Sequence, residues 1–397
     1  MTSTPRGMRR HVGIFGKTNI GKSTLFNMIT GQDVAIVSPV EGTTTDPILK
    51  NIEFLPFGPI TLIDTAGYDD LTELGKKRME KTLQQSRKSD LSLVVIQANE
   101  YKEHSPAKEK FIHGEKLHVF TKCDLADEHT LSEIKRNYPA GVLVSIDDET
   151  SIAELKAEMV KRLTLMGNYT DESLMSKLLP PGSNVVMVIP IDSAAPKGRL
   201  ILPQVNLIRE CLDHGIIVHL AKDTELVQCM EQAPKVDMVI TDSQAFGFVS
   251  SVISEDIPLT SFSMLLSFSK GNFLQQMEGI NHIRDLNDDD KVLMLESCTH
   301  NHGYEDIGRV KIPGMLRKVT GKRLQCDVYA GNDVPSNLSE YNLIVHCGAC
   351  MINKTEMSNR LSEMNDLGIP VTNYGIILAY FTGILDRCAA VFEKEMV

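Results

Sequence analysis

The chain has 397 residues, of which 42% are hydrophobic and 23% charged, and it carries a formal net charge of −11 at pH 7. This length predicts two or three domains, and the acidic balance argues against nucleic acid as the main partner. No apolar stretch is as long as a membrane span, and no apolar core follows the basic N-terminus, so we expect neither a membrane segment nor a signal peptide. The composition therefore predicts a cytoplasmic globular protein.

Strand-like apolar runs alternate with helix-like segments along most of the chain, which predicts parallel α/β architecture. The apolar runs of the first part lie at residues 12–15, 60–63, 91–96, 117–120 and 142–144. A Leu-Pro-Pro-Gly stretch at 179–182 cannot continue a helix and marks a boundary. We predict three domains, over residues 1–168, 180–264 and 265–397.

A phosphate-loop motif, GKTNIGKS at residues 16–23, follows the first apolar run and opens a helix-like segment. Its glycines let backbone N–H groups turn towards the phosphates of a nucleotide. Lys22 is expected to reach the β- and γ-phosphates, and Ser23 to offer its hydroxyl to Mg²⁺. The predicted nucleotide-binding residues of this loop are Gly16, Thr18, Asn19, Gly21, Lys22, Ser23 and Thr24.

Two segments beyond this loop have the character of nucleotide-sensing switches. EGTTTD at 41–46 resembles the Gly-Thr-Thr-Arg-Asp switch of the bacterial tRNA-modification and ribosome-assembly GTPases, which makes Thr44 a Mg²⁺ ligand. DTAG at 64–67 ends a strand, so Asp64 can hold Mg²⁺ through water and the N–H of Gly67 can sense the γ-phosphate. The predicted catalytic residues are Lys22, Thr44, Asp64 and Gly67.

Two other positions bear on the rate of hydrolysis. The same relatives carry an asparagine where this chain has Asn19, and many use it to hold K⁺, so we expect K⁺-stimulated hydrolysis. Tyr68 stands where Ras-like proteins have the glutamine that orients water, so intrinsic hydrolysis should be slow. Acidic residues that could position the water are Asp69, Asp70 and Glu73.

The nucleotide base is predicted from TKCD at residues 121–124, which follows another apolar run. This segment resembles the Asn-Lys-x-Asp loop of translation-factor-type GTPases, and Lys122 occupies its lysine position. Asp124 would accept two hydrogen bonds from guanine that adenine cannot supply. Thr121 departs from the pattern, so we expect guanine selectivity with weaker affinity. Ser145, after the last strand of the domain, fits the remaining base-contact position.

A second set of chemistry-bearing residues lies near the end of the chain. CTH at 298–300 and HCGAC at 346–350 each follow an apolar run. If those runs are neighbouring parallel strands, the thiols and imidazoles meet at the carboxyl edge of a sheet, where α/β folds bind ligands. Such thiolate-rich sets suit zinc or an iron–sulfur cluster, and the spacing leaves both open. The predicted metal-site residues are Cys298, Cys347 and Cys350, with His300, His346 and Glu305, and also His302 and Asp306, as fourth ligand or close neighbours.

A GTPase domain followed by this Cys-x-His and His-Cys-x-x-Cys set resembles the HydF family, the GTPases that mature FeFe-hydrogenase, over essentially the whole chain. PIDSAAPKGRL at 190–200 is also similar to that family's own sequence. The resemblance implies a 4Fe-4S cluster held by the three cysteines, with the two histidines near it. It further implies a middle domain that forms dimers, and a scaffold that carries a diiron subcluster, built by two radical-SAM partners, to apo FeFe-hydrogenase.

The resulting hypothesis is a P-loop GTPase domain followed by two smaller parallel-sheet α/β domains, a dimerisation domain and a cluster-binding domain. Its expected cofactors are Mg²⁺, a 4Fe-4S cluster and K⁺, with GTP as substrate. Its expected partners are FeFe-hydrogenase, the radical-SAM maturases and further copies of the chain, and neither nucleic acid nor a membrane. The alternative is a regulatory GTPase whose last domain carries a structural zinc.

Overall fold

The computed structural model describes residues 9–31, 47–69, 73–104, 106–167, 173–191, 198, 200–271, 273–297, 306–331, 334–335 and 337–395. They form two compact units, Met1–Asp171 and Glu172–Val397. Several residues singled out above lie outside the described ranges, namely Thr44, Asp70, Cys298, His300, His302 and Glu305. No helix within those ranges is long and apolar enough to cross a membrane.

The first unit is built on a six-stranded sheet of order β2-β3-β1-β4-β5-β6, in which only β2 runs antiparallel to its neighbour. Its strands are β1 (Arg10–Phe15), β2 (Ile48–Phe54), β3 (Gly58–Asp64), β4 (Leu91–Gln97), β5 (Glu115–Thr121) and β6 (Val142–Leu143). Its α-helices are α1 (Lys22–Thr30), α2 (Glu73–Lys88), α3 (Glu128–Asn137) and α4 (Glu149–Met166).

The central strands of this sheet are apolar throughout because they are buried on both faces. Along β4, Leu93 and Val95 enter one core, whereas Val94 and Ile96 enter the core on the opposite face. The edge strand β2 instead alternates between half-buried and exposed residues. Because β1, β3, β4, β5 and β6 are parallel, their carboxyl ends lie at one edge of the sheet. The phosphate loop and the base loop (residues 121–124) begin at this edge.

The second unit contains two four-stranded parallel sheets, of order β10-β9-β7-β8 and β12-β11-β13-β14. The strands are β7 (Asn184–Val188), β8 (Ile217–Ala221), β9 (Met238–Thr241), β10 (Leu259–Ser261), β11 (Lys291–Glu296), β12 (Gln325–Ala330), β13 (Leu343–His346) and β14 (Val371–Asn373). The helices are α5 (Leu174–Leu178), α6 (Leu202–Asp213), α7 (Leu226–Gln232), α8 (Phe246–Val252), α9 (Phe262–Lys270), α10 (Phe273–Gly279), α11 (Ile312–Thr320), α12 (Lys354–Asp366), α13 (Tyr374–Phe381) and α14 (Leu385–Ala390).

A single buried core joins the two sheets of the second unit. It contains Val186 of β7, Met264 of α9, Met294 of β11 and Ile377 of α13. Helix α9, which follows the last strand of the first sheet, therefore packs against helices α12 and α13 of the second. This packing brings the end of α9 to the loop that follows β13.

The predicted fold class is confirmed: a phosphate-loop α/β domain precedes two parallel-sheet α/β domains. The predicted limits of the three domains stay predictions, since residues 172–397 form one compact unit with two sheets.

Candidate nucleotide site and cysteine loop

The phosphate loop has the backbone geometry that its sequence predicts. Gly21 has φ 99°, a left-handed conformation that favours glycine, and α1 begins at the next residue. Gly16 lies so close to the sheet that a Cβ there would stand 2.7 Å from the backbone oxygen of Val95. The Nζ of Lys22 donates to the carbonyl of Lys17 at 2.5 Å. Burial lowers the pKa of Lys22 to about 8, an effect that the charges of Asp64 and Asp69 partly offset.

Two of the residues expected to hold Mg²⁺ lie together, Ser23 in the first turn of α1 and Asp64 at the end of β3. The hydroxyl of Ser23 donates to Oδ2 of Asp64 at 2.7 Å. The second carboxylate oxygen, Oδ1, is buried and has no hydrogen-bond partner among the described residues. Burial raises the pKa of Asp64, whereas the hydrogen bond from Ser23 and the charge of Lys22 oppose this rise. A hydroxyl and a buried carboxylate oxygen without a protein donor are a donor set that fits a hydrated Mg²⁺.

The segment after Asp64 contacts the phosphate loop directly. Both the backbone N–H and the hydroxyl of Thr18 donate to Oδ1 of Asp69, each at 2.7 Å. A Cβ at Gly67 would stand 2.3 Å from Oγ1 and 2.6 Å from the backbone nitrogen of Thr18, so this approach requires glycine. The backbone of Gly67 is thereby held against the phosphate loop, as a γ-phosphate sensor needs.

The base loop is fastened to the phosphate loop by its first two side chains. The hydroxyl of Thr121 donates to the carbonyl of Ile20 at 2.7 Å. Lys122, with φ 55°, donates from Nζ to the carbonyl of Asn19 at 3.1 Å and to Oε1 of Gln97 at 2.9 Å. Although Thr121 departs from the usual asparagine, its hydroxyl therefore still joins the two loops.

Asp124 and Ser145 lie side by side at the same edge of the sheet. The hydroxyl of Ser145 donates to Oδ1 of Asp124 at 3.1 Å. Asp124 belongs to a short 3₁₀ turn, Cys123–Leu125, and Ser145 follows β6. Among the described residues, the structure thus brings the predicted phosphate-loop, Mg²⁺ and base-loop residues to one edge of the sheet, while Thr44 lies outside the described ranges.

The two cysteine segments extend from neighbouring strands of the last sheet. Strands β11 and β13 pair in parallel, with Leu295 opposite His346. The next residues, Ser297 and Cys347, consequently touch: the N–H of Ser297 donates to Sγ of Cys347 at 3.1 Å. Cys298 follows directly in sequence but lies outside the described residues. The predicted adjacency of the two strands is therefore present.

Two backbone N–H groups donate to the Cys347 sulfur, one from Ser297 and one from within the cysteine loop, residues 347–350. A second N–H, from Ala349, lies 3.4 Å from Sγ, and Ala349 has φ 57°, which is uncommon for a residue with a side chain. The amide of Asn373 donates to the carbonyl of Cys347 at 3.3 Å. Burial raises the pKa of the Cys347 thiol, and the hydrogen bonds from Ser297 and Ala349 act against that rise.

His346 is fully enclosed beside this loop and is fixed by its own partners. Its Nδ1 donates to the carbonyl of Cys347 at 2.9 Å, and its Nε2 lies 3.5 Å from Nη1 of Arg360. Burial, together with the charge of Arg360, lowers the pKa of His346 to about 3. The imidazole is therefore neutral and supports the loop backbone, as expected of a residue beside the predicted metal ligands.

A buried cation from α9 also holds the cysteine loop. The Nζ of Lys270 donates to the carbonyls of Ala349 and Ile352, at 3.2 and 2.9 Å. Burial lowers the pKa of Lys270 to about 8, while the thiols of Cys350 and Cys347 act in the opposite direction. Sequence reasoning missed Lys270, since no local pattern connects it with a loop 79 residues further on.

Family models match all three parts of the chain. A 50S ribosome-binding GTPase model matches residues 11–122, a hydrogen maturase F dimerization domain matches 174–271, and a hydrogen maturase F tetramerization domain matches 274–391. With the phosphate site described above, the first match defines a P-loop GTPase that hydrolyses GTP with Mg²⁺. The chain belongs to the hydrogen maturase F family, whose dimerization and tetramerization domain models it matches.

Similar curated proteins share the GTPase part. The tRNA modification GTPase MnmE of Lactobacillus helveticus is 32% identical over 203 residues, which are 46% of this chain and 43% of that protein. MnmE of Pelagibacter ubique is 38% identical over 128 residues, or 32% of this chain and 28% of its own. The chain thus spans less than half the length of these relatives.

Solved GTPase structures resemble the fold only in part. Era of Aquifex aeolicus bound to GDP and AlF₄⁻ covers 53% of this chain and 92% of its own, at 21% identity and a TM-score of 0.34. NFeoB of S. thermophilus covers 37% of this chain and 61% of its own, at 18% identity and a TM-score of 0.30.

Proposed function

We propose that this GTPase binds a 4Fe-4S cluster through Cys298, Cys347 and Cys350 and carries a diiron subcluster to apo FeFe-hydrogenase. The observation that supports the cluster most directly is the surrounding of Cys347. Two backbone N–H groups point at its sulfur, and iron–sulfur sites use such hydrogen bonds to stabilise thiolate ligands. When bound, the cluster would supply an iron to which a transferred metal unit can attach.

The residues present fit a cluster better than a site made of histidines. Cys347 lies in a loop braced by Lys270, and a buried ammonium offsets part of the negative charge of thiolate ligands. Both ring nitrogens of His346 already have partners, the carbonyl of Cys347 and the guanidinium of Arg360. His300 or Glu305 is therefore the proposed fourth ligand. This assignment of the fourth ligand stays a prediction, as does K⁺ binding at Asn19.

The test of cluster binding is the iron, zinc and acid-labile sulfide content of protein purified without oxygen. The informative variant is Cys347→Ser, and the matched control is Cys326→Ser, a half-buried cysteine on β12 of the same sheet. We expect about four iron and four sulfide per chain in the wild type and the control, and loss of both in Cys347→Ser. Stoichiometric zinc without sulfide would contradict the proposal and leave the regulatory GTPase with a structural zinc.

The nucleotide is proposed to control partner binding, with GTP hydrolysis as a timer for the hydrogenase and the radical-SAM maturases. In this chain, Ser23 and Asp64 would hold Mg²⁺, which neutralises phosphate charge, and Lys22 would contact the phosphates. Lys22→Ala should therefore lose the ability to activate apo-hydrogenase although it keeps its cluster. Full maturation activity in that variant would show that GTP is dispensable. The cytoplasmic location stays a prediction.

A further inference from the structure

A cluster of three metal-ligand side chains lies in the first unit, two of them in the connection between β4 and β5 and the third on β5. The Nε2 atoms of His104 and His118 lie 2.5 and 2.8 Å from the same oxygen, Oε1 of Glu109. One ligand atom from each residue falls within 4.8 Å of the others, and no second group of this kind occurs in the described part of the chain. Neither the phosphate site nor the cysteine loop uses these residues.

The three side chains are held by separate elements and largely enclosed. His118 belongs to β5, whereas His104 and Glu109 lie at the ends of two 3₁₀ turns, Ala98–Glu103 and Pro106–Glu109. Their side chains are 6% exposed for His104, 5% for Glu109 and 25% for His118. A set of residues fixed on different elements requires little rearrangement to bind an ion, and His118 leaves it a route from solvent.

The other neighbours of Glu109 contact its backbone carbonyl and its second carboxylate oxygen, whereas the two imidazoles contact Oε1. Lys116 donates to the backbone carbonyl of Glu109 at 2.9 Å, and its Nζ lies 3.6 Å from the other carboxylate oxygen, Oε2. The ring of Tyr138 packs on that of His118, with centroids 4.9 Å apart. Burial alone would raise the pKa of Glu109, but the hydrogen bonds from His104 and His118 outweigh it and lower this pKa to about 2, so the group is a carboxylate.

We propose that Nε2 of His104, Oε1 of Glu109 and Nε2 of His118 form a binding site for one divalent ion of the zinc class. Two imidazoles and one carboxylate are ligands that a borderline ion prefers, and three protein ligands leave a position for water. Zinc–ligand distances of about 2.0–2.2 Å place donor atoms roughly 3.3 Å apart, so the side chains open by somewhat more than half an ångström. Each imidazole then carries its proton on Nδ1.

An ion at this site would rigidify residues that pack against the end of the second predicted switch, DTAG at 64–67. Phe111, two residues after Glu109, packs edge-on against the ring of Tyr68 with centroids 5.2 Å apart. Tyr68 follows Gly67, the predicted γ-phosphate sensor. Linking His104 and Glu109 to β5 therefore restrains the segment on which Tyr68 rests. Because binding favours the folded state, the ion also stabilises the first unit against unfolding by RT ln(1 + [ion]/Kd).

The test is a titration of the full chain with Co²⁺, which reports its ligands by colour. Every protein in the titration carries serine in place of Cys298, Cys347 and Cys350, and excess Mg²⁺ occupies the nucleotide site. Neither the proposed cluster site nor the nucleotide site can then hold the added Co²⁺. The informative variants are His104→Gln and His118→Gln, because a glutamine amide can still donate to Glu109 but replaces the imidazole. The matched control is His129→Gln, whose side chain is 78% exposed.

We expect one equivalent of Co²⁺ in the parent and in the control, with ligand-field absorption and without thiolate charge-transfer bands. His104→Gln and His118→Gln should each bind at least ten times more weakly, and Zn²⁺ should raise the Tm of the parent but not theirs. GDP binding checks that each variant is folded. If only one of the two histidine variants folds, that variant alone is enough to test the proposal. Equal binding in all variants, or no bound equivalent in the parent, would overturn the proposal. Neither result depends on the proposed cluster, since its three cysteines are absent from every protein tested.

Discussion

Replacing Thr121 by valine tests the connection between the base loop and the phosphate loop. The hydroxyl of Thr121 is buried and donates to the carbonyl of Ile20 at 2.7 Å. Valine has nearly the same shape but no donor, so the carbonyl is left without this partner. Leaving a buried acceptor unsatisfied costs about 1–3 kcal/mol. Because Ile20 belongs to the phosphate loop, this cost is expected to appear as weaker nucleotide binding together with lower stability.

The assay measures GDP affinity and the free energy of unfolding for the wild type, Thr121→Val and Thr121→Ser. If the whole cost falls on binding, the Kd for GDP rises roughly 5- to 150-fold. Thr121→Ser keeps the hydroxyl, so it should bind GDP within about threefold of the wild type, a difference of roughly 0.6 kcal/mol. An unchanged affinity and an unchanged stability in Thr121→Val would refute the argument that this hydroxyl replaces the usual asparagine amide.

Three further changes follow from the geometry. Gly67→Ala puts a Cβ 2.6 Å from a phosphate-loop backbone nitrogen, so kcat for GTP should fall roughly 100-fold while GDP binding is nearly unchanged, as single-turnover assays would show. Ser145→Ala removes the hydroxyl that orients Asp124, so guanine nucleotides should bind about 2- to 10-fold more weakly, measured by calorimetry. Because burial lowers the pKa of Lys270 from 10.5 to about 8, the folded state binds fewer protons between these values. The wild type should therefore gain up to roughly 3 kcal/mol over Lys270→Met as pH rises from 8 to 10.5, by urea unfolding beside the exposed control Lys235→Met.

The nucleotide site could be predicted largely from sequence because its geometry is local. The phosphate loop requires a left-handed residue at Gly21, just before α1, and the motif supplies that glycine. The neighbouring cysteine segments could be predicted for a related reason. Parallel strands end at a common edge, so residues that follow β11 and β13 must meet there, as Ser297 and Cys347 do.

The supporting residues could not be predicted, because they come together only through tertiary packing. Arg360 reaches His346 from α12, and Asn373 reaches Cys347 from the end of β14. The His104–Glu109–His118 group likewise depends on how irregular turns fold back on β5, and its spacing matches no periodic pattern. A sequence motif describes groups on one loop, whereas these contacts depend on the packing of several elements.

The hydrogen bonds of Lys270 show that the cysteine loop is held by residues from both domain matches of the second unit. It ends α9, within the residues that match the dimerization domain, whereas its acceptors Ala349 and Ile352 lie in the tetramerization match. The strained φ of Ala349 persists only while such contacts hold the loop. A fragment that begins after residue 271 would keep both described cysteines of the loop but lose these two hydrogen bonds. The geometry around Cys347 therefore depends on the packing between the two sheets, and a rearrangement of that packing would act on the cysteine loop directly.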